Sequence, residues 1–184
     1  SEIPHSIIRP SVLTGNTRTG AVRNFSGYYL MVERFLAAAK WSAQHGYKVR
    51  FPNLTGTSNM VPVDQAAAVI ADLATSNRLT KIVYITNPAP PKTMWVLEET
   101  LDFLAIKKCI DIINCDFSTY AKMIKTPGEK ILYHLGMHMS PYWSLAYNFP
   151  ESALGENPIN SVYLSRILQY YREQTDHANH ESKN

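Results

Sequence analysis

Apolar residues recur along the chain with two periods, and together they predict alternating strands and helices. Residues 6–13, Ser-Ile-Ile-Arg-Pro-Ser-Val-Leu, are an apolar, β-rich run interrupted by Pro10; this reads as a strand, and a strand needs a partner. The turn formers of residues 14–20 read as a loop. Asn24 or Ser26 is placed to cap a helix over 28–43, where Tyr29, Val32, Leu36, Ala39 and Ala43 recur at helical steps before Gly46 stops it. Residues 47–51 alternate like a half-buried strand ending at Pro52. A polar loop over 53–59 and an extended piece over 60–63 precede an alanine-rich helix to about Thr75, with Asp64 as its expected N-cap.

Residues 81–86, Lys-Ile-Val-Tyr-Ile-Thr, are the strongest strand, and residues 87–91 form a rigid Pro-rich turn. A helix over 93–105, a strand over 109–113 and short helices over 117–124 and 130–139 follow, the last two separated by Pro127-Gly128. Residues 141–158 read as loop, 159–173 as a last helix, and 175–184 as a polar, frayed tail. Strand and helix alternate, so the class is α/β.

The 184 residues correspond to about one domain, and 45% apolar with 18% charged residues argues against disorder. The net charge of +3 comes without a dense Lys/Arg block, so no nucleic-acid partner is expected. Two cysteines, Cys109 and Cys115, make no disulfide framework and fit a reducing, cytoplasmic setting. No apolar run is long enough to span a membrane. The opening Ser1-Glu2-Ile3-Pro4-His5 has neither Met nor a leader pattern; the expectation is a portion of something longer.

Several chemistries lack their residues. Gly15 and Gly20 have P-loop spacing, but Ala21 stands where Lys is needed, and no glycine-rich dinucleotide fingerprint occurs. His134 and His138 share a helical spacing without a third ligand between them; His177 and His180 read as solvated. Cys109 and Cys115 lack zinc spacing and read as small buried residues. No tyrosine has Lys four residues on, and Tyr163 with Arg166 has the wrong residue and spacing.

Residues 7–15, Ile-Ile-Arg-Pro-Ser-Val-Leu-Thr-Gly, resemble the strand and turn that follow the Tyr/Lys helix of extended short-chain dehydrogenase/reductases. Residues 59–64, Asn-Met-Val-Pro-Val-Asp, followed by the alanine-rich helix, are similar to the segment opening that superfamily's substrate half. Residues 15–20 (Gly-Asn-Thr-Arg-Thr-Gly), residues 84–91 (Tyr-Ile-Thr-Asn-Pro-Ala-Pro-Pro) and Pro141-Tyr142 point to the male-sterility/thioester-reductase branch. The resemblance covers residue 7 to about Pro150.

The resemblance implies the C-terminal part of an extended Rossmann-type reductase, with a small mixed sheet and flanking helices. It implies a single domain over 1–184, in which 1–52 is the remnant of the Rossmann half, 53–175 the substrate-binding part and 176–184 a frayed tail. The phosphate-binding glycines, the catalytic Ser/Thr and the Tyr/Lys pair would precede Ser1, so no catalytic residue is assigned and no metal is expected. The cofactor, NADP(H) or NAD(H), would meet Pro10, Ser11 and Val12, whose backbone groups would hold the carboxamide; a strand merely ended by Pro10 is the alternative.

Nucleotide-sugar epimerases of the superfamily place Arg before the Val-Asp segment. Here Ser58, Asn59 and Met60 stand there, which favours a CoA- or carrier-bound acyl thioester over a nucleotide sugar. Asn59 and Met60, with Tyr28, Tyr29 and Trp143, are candidates to line its pocket, and core packing is the alternative role of the aromatics and Met60. Arg18 would meet a phosphate of cofactor or phosphopantetheine, or be a solvated loop residue. The implied function is substrate binding in an NAD(P)-dependent reductase, with an acyl or peptidyl carrier protein as an implied partner; the isolated chain would not turn over. The alternatives are a stand-alone binding module or the C-terminal part of a nucleotide-sugar epimerase or dehydratase. The strand at residues 6–13, without neighbours, would expose an edge and promote self-association.

Overall fold

The computed structural model describes residues 5–76, 82–146, 152–155 and 159–181, side chains after 177 excepted. The chain divides into two compact units whose segments interleave: Ser1–Asn24, Asn59–Pro90 and Tyr147–Asn184 form unit 1, and Phe25–Ser58 with Pro91–Ala146 form unit 2.

Unit 1 contains β1 (Ile7–Pro10), β2 (Val12–Thr14), β4 (Met60–Pro62), α2 (Val63–Thr75), β5 (Ile82–Ile85) and α6 (Ser161–Glu181). β1 pairs in parallel with β5, from Ile7 opposite Ile82 to Pro10 opposite Ile85. β2 pairs in parallel with β4, from Val12 opposite Met60 to Thr14 opposite Pro62. The run at residues 6–13 is therefore two short strands that change partner at Ser11. Val61, Ala66, Ile85 and Leu154 form a buried cluster against which Ile8, Val69 and Val83 pack. Lys81, expected to open β5, lies outside the described residues.

Unit 2 contains α1 (Tyr28–His45), β3 (Val49–Pro52), α3 (Thr93–Phe103), a 3-10 turn (Lys107–Cys109), β6 (Ile110–Ile113), α4 (Phe117–Met123) and α5 (Pro127–Ser144). β3 and β6 pair in parallel, Val49 opposite Ile110 through Pro52 opposite Ile113. Phe51 centres the core: its ring meets Phe35, Trp143 and Tyr120 edge-on at centroid distances of 5.0, 5.7 and 6.0 Å.

The α/β class and flanking helices agree with the sequence reading, and several details differ. The N-cap of α1 is Gly27, at φ 56°, a backbone region open to glycine, and no side chain caps the helix, so neither Asn24 nor Ser26 has the expected role. The small sheet is three separate parallel pairs; among the described residues the one antiparallel pairing is an isolated bridge between Thr57 and Lys92. The N-cap of α2 is Pro62, so Asp64 sits in the first turn, where its carboxylate accepts from Thr17 instead. α5 starts at Pro127 and runs through Pro141 to Ser144. Thr126 and Glu129 form a reciprocal capping box, and proline is favoured at the first helical position because its missing N–H has no partner there anyway. α6 continues to Glu181, so most of the expected tail is helical.

Candidate functional site

In unit 1 the sequence-predicted residues meet where β1 passes into β2. Ser11 N–H donates to the Ile85 carbonyl at 2.9 Å, and Val12 N–H donates to the Asn59 carbonyl at 3.3 Å. The Ser11 hydroxyl donates to the same Asn59 carbonyl at 2.6 Å. The Asn59 amide bridges onward: Nδ2 donates to the Asn87 carbonyl at 3.1 Å, and Oδ1 accepts Asn87 N–H at 2.8 Å. Asn59 thus locks the start of β2 to the turn after β5. Its backbone oxygen and side chain are engaged in the fold, and so are the N–H donors of Ser11 and Val12.

The Ser11 and Val12 N–H donors of the Pro10-Ser11-Val12 turn are taken by these sheet partners. What it offers is an exposed surface from Pro10 and Val12. Met60 is buried in β4, where it packs rather than lining an opening.

Arg18 sits on a loop of fixed shape. Asn16 Oδ1 accepts the N–H groups of Arg18 at 2.9 Å and Thr19 at 3.1 Å, and Gly20 N–H closes the turn on the Asn16 carbonyl at 2.9 Å. Gly20 has φ +73°, and a Cβ there would stand 2.5 Å from the Arg166 carbonyl oxygen, so only glycine lets the loop lie against α6. Arg166 donates to the Thr17 carbonyl. Thr17 donates through N–H and hydroxyl to Asp64, at 2.9 and 2.5 Å. Burial pushes the Asp64 carboxyl upward, but the Thr17 hydrogen bonds outweigh it and the pKa lies below the ordinary value. Tyr163 completes the buried network: its hydroxyl is 2.7 Å from Thr14 Oγ1 and donates to the Gly15 carbonyl at 2.7 Å. Arg18 itself is exposed at the tip.

In unit 2, Tyr28 and Tyr29 are both buried in α1. Their rings meet edge-on at 5.5 Å, and the Tyr28 hydroxyl is 2.7 Å from Thr100 Oγ1. Both are core residues. Trp143, in the last turn of α5, lines a cavity with a volume of about 250 Å³. That cavity opens at the carboxyl ends of β3 and β6, where Asn53, Asn114 and Asp116 leave the strands, and Phe117 and Ser140 complete its wall. Sequence reading missed this set because it depends on β3 and β6 being parallel neighbours. The signal lay in Asn53 and in the run Asn114-Cys115-Asp116, each directly after a strand. The predicted site residues therefore fall in both units: Pro10, Ser11, Val12, Arg18, Asn59 and Met60 in unit 1, and Tyr28, Tyr29 and Trp143 in unit 2.

Beside the cavity, Arg50 donates from Nε to Glu129 Oε1 at 2.5 Å and from a terminal nitrogen to the Met123 carbonyl at 2.7 Å. Glu129 Oε2 accepts the N–H groups of Lys125 and Thr126, at 2.8 and 2.9 Å. Burial raises the Glu129 carboxyl, yet Arg50 and these two N–H donors outweigh it and hold it below the usual range. Burial pushes the Tyr120 hydroxyl up, and it donates to the Glu129 carbonyl at 3.1 Å. These groups knit β3, α4 and α5 together.

His134 and His138 are exposed on α5, and Cys109 and Cys115 are free and half-buried. Among the described residues no cluster of His, Cys, Asp and Glu is placed to hold a metal ion. None of their helices is long and apolar enough to cross a membrane.

No family model matches the chain. It is 24% identical over 130 residues to an adenylate-forming reductase of Aspergillus terreus (strain NIH 2624 / FGSC A1156), covering 71% of this chain and 11% of that protein. In structure it is similar to the terminal R domain of the myxalamid PKS-NRPS biosynthetic pathway: TM-score 0.65, 16% identity, 94% of this chain and 45% of that one. It is also similar to a thiolation-reductase di-domain from an archaeal non-ribosomal peptide synthetase: TM-score 0.58, 11% identity, 94% of this chain and 37% of that one. The chain thus spans less than half the length of each of these proteins, and it shares its Rossmann-like α/β fold with part of the two reductase structures.

Proposed function

We propose that the chain is the C-terminal, substrate-binding part of an NAD(P)-dependent reductase acting on an acyl thioester carried by CoA or a carrier protein. The observation that carries this reading is the fold shared over 94% of the chain with a terminal R domain, at TM-score 0.65. The sequence likeness to an adenylate-forming reductase supports it independently. In the whole protein, NADP(H) or NAD(H) would supply the hydride, and this chain would offer the exposed side of the Pro10–Val12 turn to it. Arg18, held out by the Asn16 turn, is suited to a phosphate of phosphopantetheine or cofactor. The isolated chain contributes binding surface and no turnover. The test is to incubate it with NADPH and an acyl-S-pantetheine: the thioester binds and NADPH absorbance stays constant. Steady NADPH oxidation overturns the claim of inactivity, and no measurable thioester binding overturns the substrate assignment.

A second reading has its own observation. Ile7 on β1 is 47% exposed and Ile82 opposite it on β5 is 39% exposed, and Val12 and Leu13 on β2 are also exposed. Among the described residues β1 pairs along one edge alone. Parallel strands are ordinarily covered on both faces, so these residues favour a protein partner, and a second copy of the chain is the simplest. Sedimentation velocity across a concentration series decides it: self-association that grows with concentration supports this reading, and a monomer throughout removes it.

A further inference from the structure

The loop of unit 1 that carries Arg18 has its backbone bonded within the protein. From Asn16 to Ala21 every N–H has a partner. Asn16 N–H donates to the Ala21 carbonyl and Gly20 N–H to the Asn16 carbonyl, both at 2.9 Å. Arg18 and Thr19 N–H donate to Asn16 Oδ1, Thr17 N–H to Asp64 Oδ1, and Ala21 N–H to Thr19 Oγ1 at 3.2 Å. The cradle of backbone donors that anion-binding loops use is therefore not on offer here. What remains is the Arg18 guanidinium, which is exposed and pairs with no carboxylate among the described residues. A phosphate at this loop meets a single side chain, so its hold depends on where the loop places Arg18.

Three contacts from α6 set that place. The buried Tyr163 hydroxyl donates to the Gly15 carbonyl at 2.7 Å, and Arg166 donates to the Thr17 carbonyl. Gly20 lies so close to the Arg166 carbonyl oxygen that a Cβ would stand 2.5 Å from it. Tyr163 and Arg166 are three residues apart, on one face of the helix. They grip the loop before Arg18, and the Gly20 contact grips it after. We infer that Tyr163 and Arg166 are positioning residues, which present Arg18 to a phosphate group without touching it. The inference rests on the reading of Arg18 as the phosphate contact. A loop fixed in advance loses little freedom on binding, whereas a loosened one must first be ordered.

Calorimetric titration of the 184-residue chain compares two pairs of ligands that differ by one phosphate. The pairs are S-acetyl-phosphopantetheine against S-acetyl-pantetheine, and NADPH against NADH. One pair is expected to show a preference of about tenfold for the added phosphate, the worth of one charge-assisted hydrogen bond, and Arg18→Ala to remove it. Which pair responds tells a substrate phosphate from a cofactor phosphate. In that pair Tyr163→Phe and Arg166→Ala should each narrow the preference to about threefold or less. Arg166→Lys, which can still donate to the Thr17 carbonyl, should recover most of it. A helix that merely stabilises unit 1 would weaken both members of the pair alike and leave their ratio unmoved. A full preference in folded Tyr163→Phe and Arg166→Ala therefore overturns the inference and leaves Arg18 its role. Should Tyr163→Phe fail to fold, the two Arg166 variants decide alone. No preference in the unaltered chain, or one that survives Arg18→Ala, overturns the reading of Arg18 and the inference with it.

Discussion

The two units are held together by different means. Unit 2 is closed around Phe51 by three edge-on aromatic contacts and sealed by the Arg50–Glu129 pair, with Glu129 only 2% exposed. Unit 1 buries a cluster of Val61, Ala66, Ile85 and Leu154, and Leu164, Ile167 and Leu168 on α6 are buried too; its loops are fixed by hydrogen bonds radiating from Asn59, Asp64 and Tyr163. Its strands leave Ile7, Val12, Leu13 and Ile82 in solvent, and on α2 only Ala66 is buried. Exposed apolar strand residues of this kind mark a surface on which interactions can form. What each offers follows the same division: unit 1 offers fixed loops and an interaction surface, and unit 2 offers a formed cavity.

The sharpest way to break this contrast is Glu129→Ala. It leaves Arg50 without its partner and two N–H groups uncapped, which costs about 3–5 kcal/mol. Urea unfolding followed by tryptophan fluorescence should show that loss; a change below about 1 kcal/mol would mean the pair is not what closes unit 2. The same pair sets a pH dependence. The Glu129 carboxyl lies below its ordinary value when folded, so its contribution is complete above the unfolded carboxylate pKa of about 4.3 and is lost as pH falls through the lower folded value. Acid titration of the unfolding midpoint should fall there, and Glu129→Gln should flatten the fall.

A smaller effect is expected from Gly136→Ala in α5. The new Cβ would stand 2.0 Å from the Phe117 ring, which must shift, at a cost of about 1–3 kcal/mol. Urea unfolding should show that loss; intact stability would show that the ring moves freely. In unit 1, Tyr163→Phe removes the hydroxyl shared by Thr14 and the Gly15 carbonyl, for about 1–2 kcal/mol. Hydrogen exchange should then quicken at residues 14–20 and leave unit 2 protected. The smallest change in stability, within about 0.5 kcal/mol, is expected for Leu13→Lys on the exposed side of β2. It should nonetheless lower any concentration-dependent association, and an unchanged sedimentation profile would detach that surface from self-association.

Much of this contrast was legible along the chain, and the misses share a cause. The spacing of Tyr29, Val32 and Ala39 located α1, and alternation located β3, because one period decides each of them. Proline is ambiguous at two positions. Pro127 has the composition of a separator, yet Thr126 and Glu129 around it spell a capping box, and Pro141 has the look of a break, yet α5 continues to Ser144. Asp64 looks like a cap from its neighbours alone, since its partner, Thr17, is 47 positions away. The site residues follow the same rule. Tyr28, Tyr29 and Met60 carry large apolar surface and pack into cores, and Asn59 is spent on Asn87. The cavity around Asp116 could be seen only once β3 and β6 were known to pair. Local periods are written in sequence, whereas polar partnerships across dozens of residues are written in the fold.

The most direct test of the central claim is calorimetric titration of the chain with an acyl-phosphopantetheine thioester, run beside a UDP-sugar and with NADPH present in a parallel cell. The account predicts saturable binding of the thioester, reduced by Arg18→Ala, no binding of the sugar nucleotide, and no NADPH consumed. Selective binding of the sugar nucleotide, or turnover of NADPH by the chain alone, would contradict it.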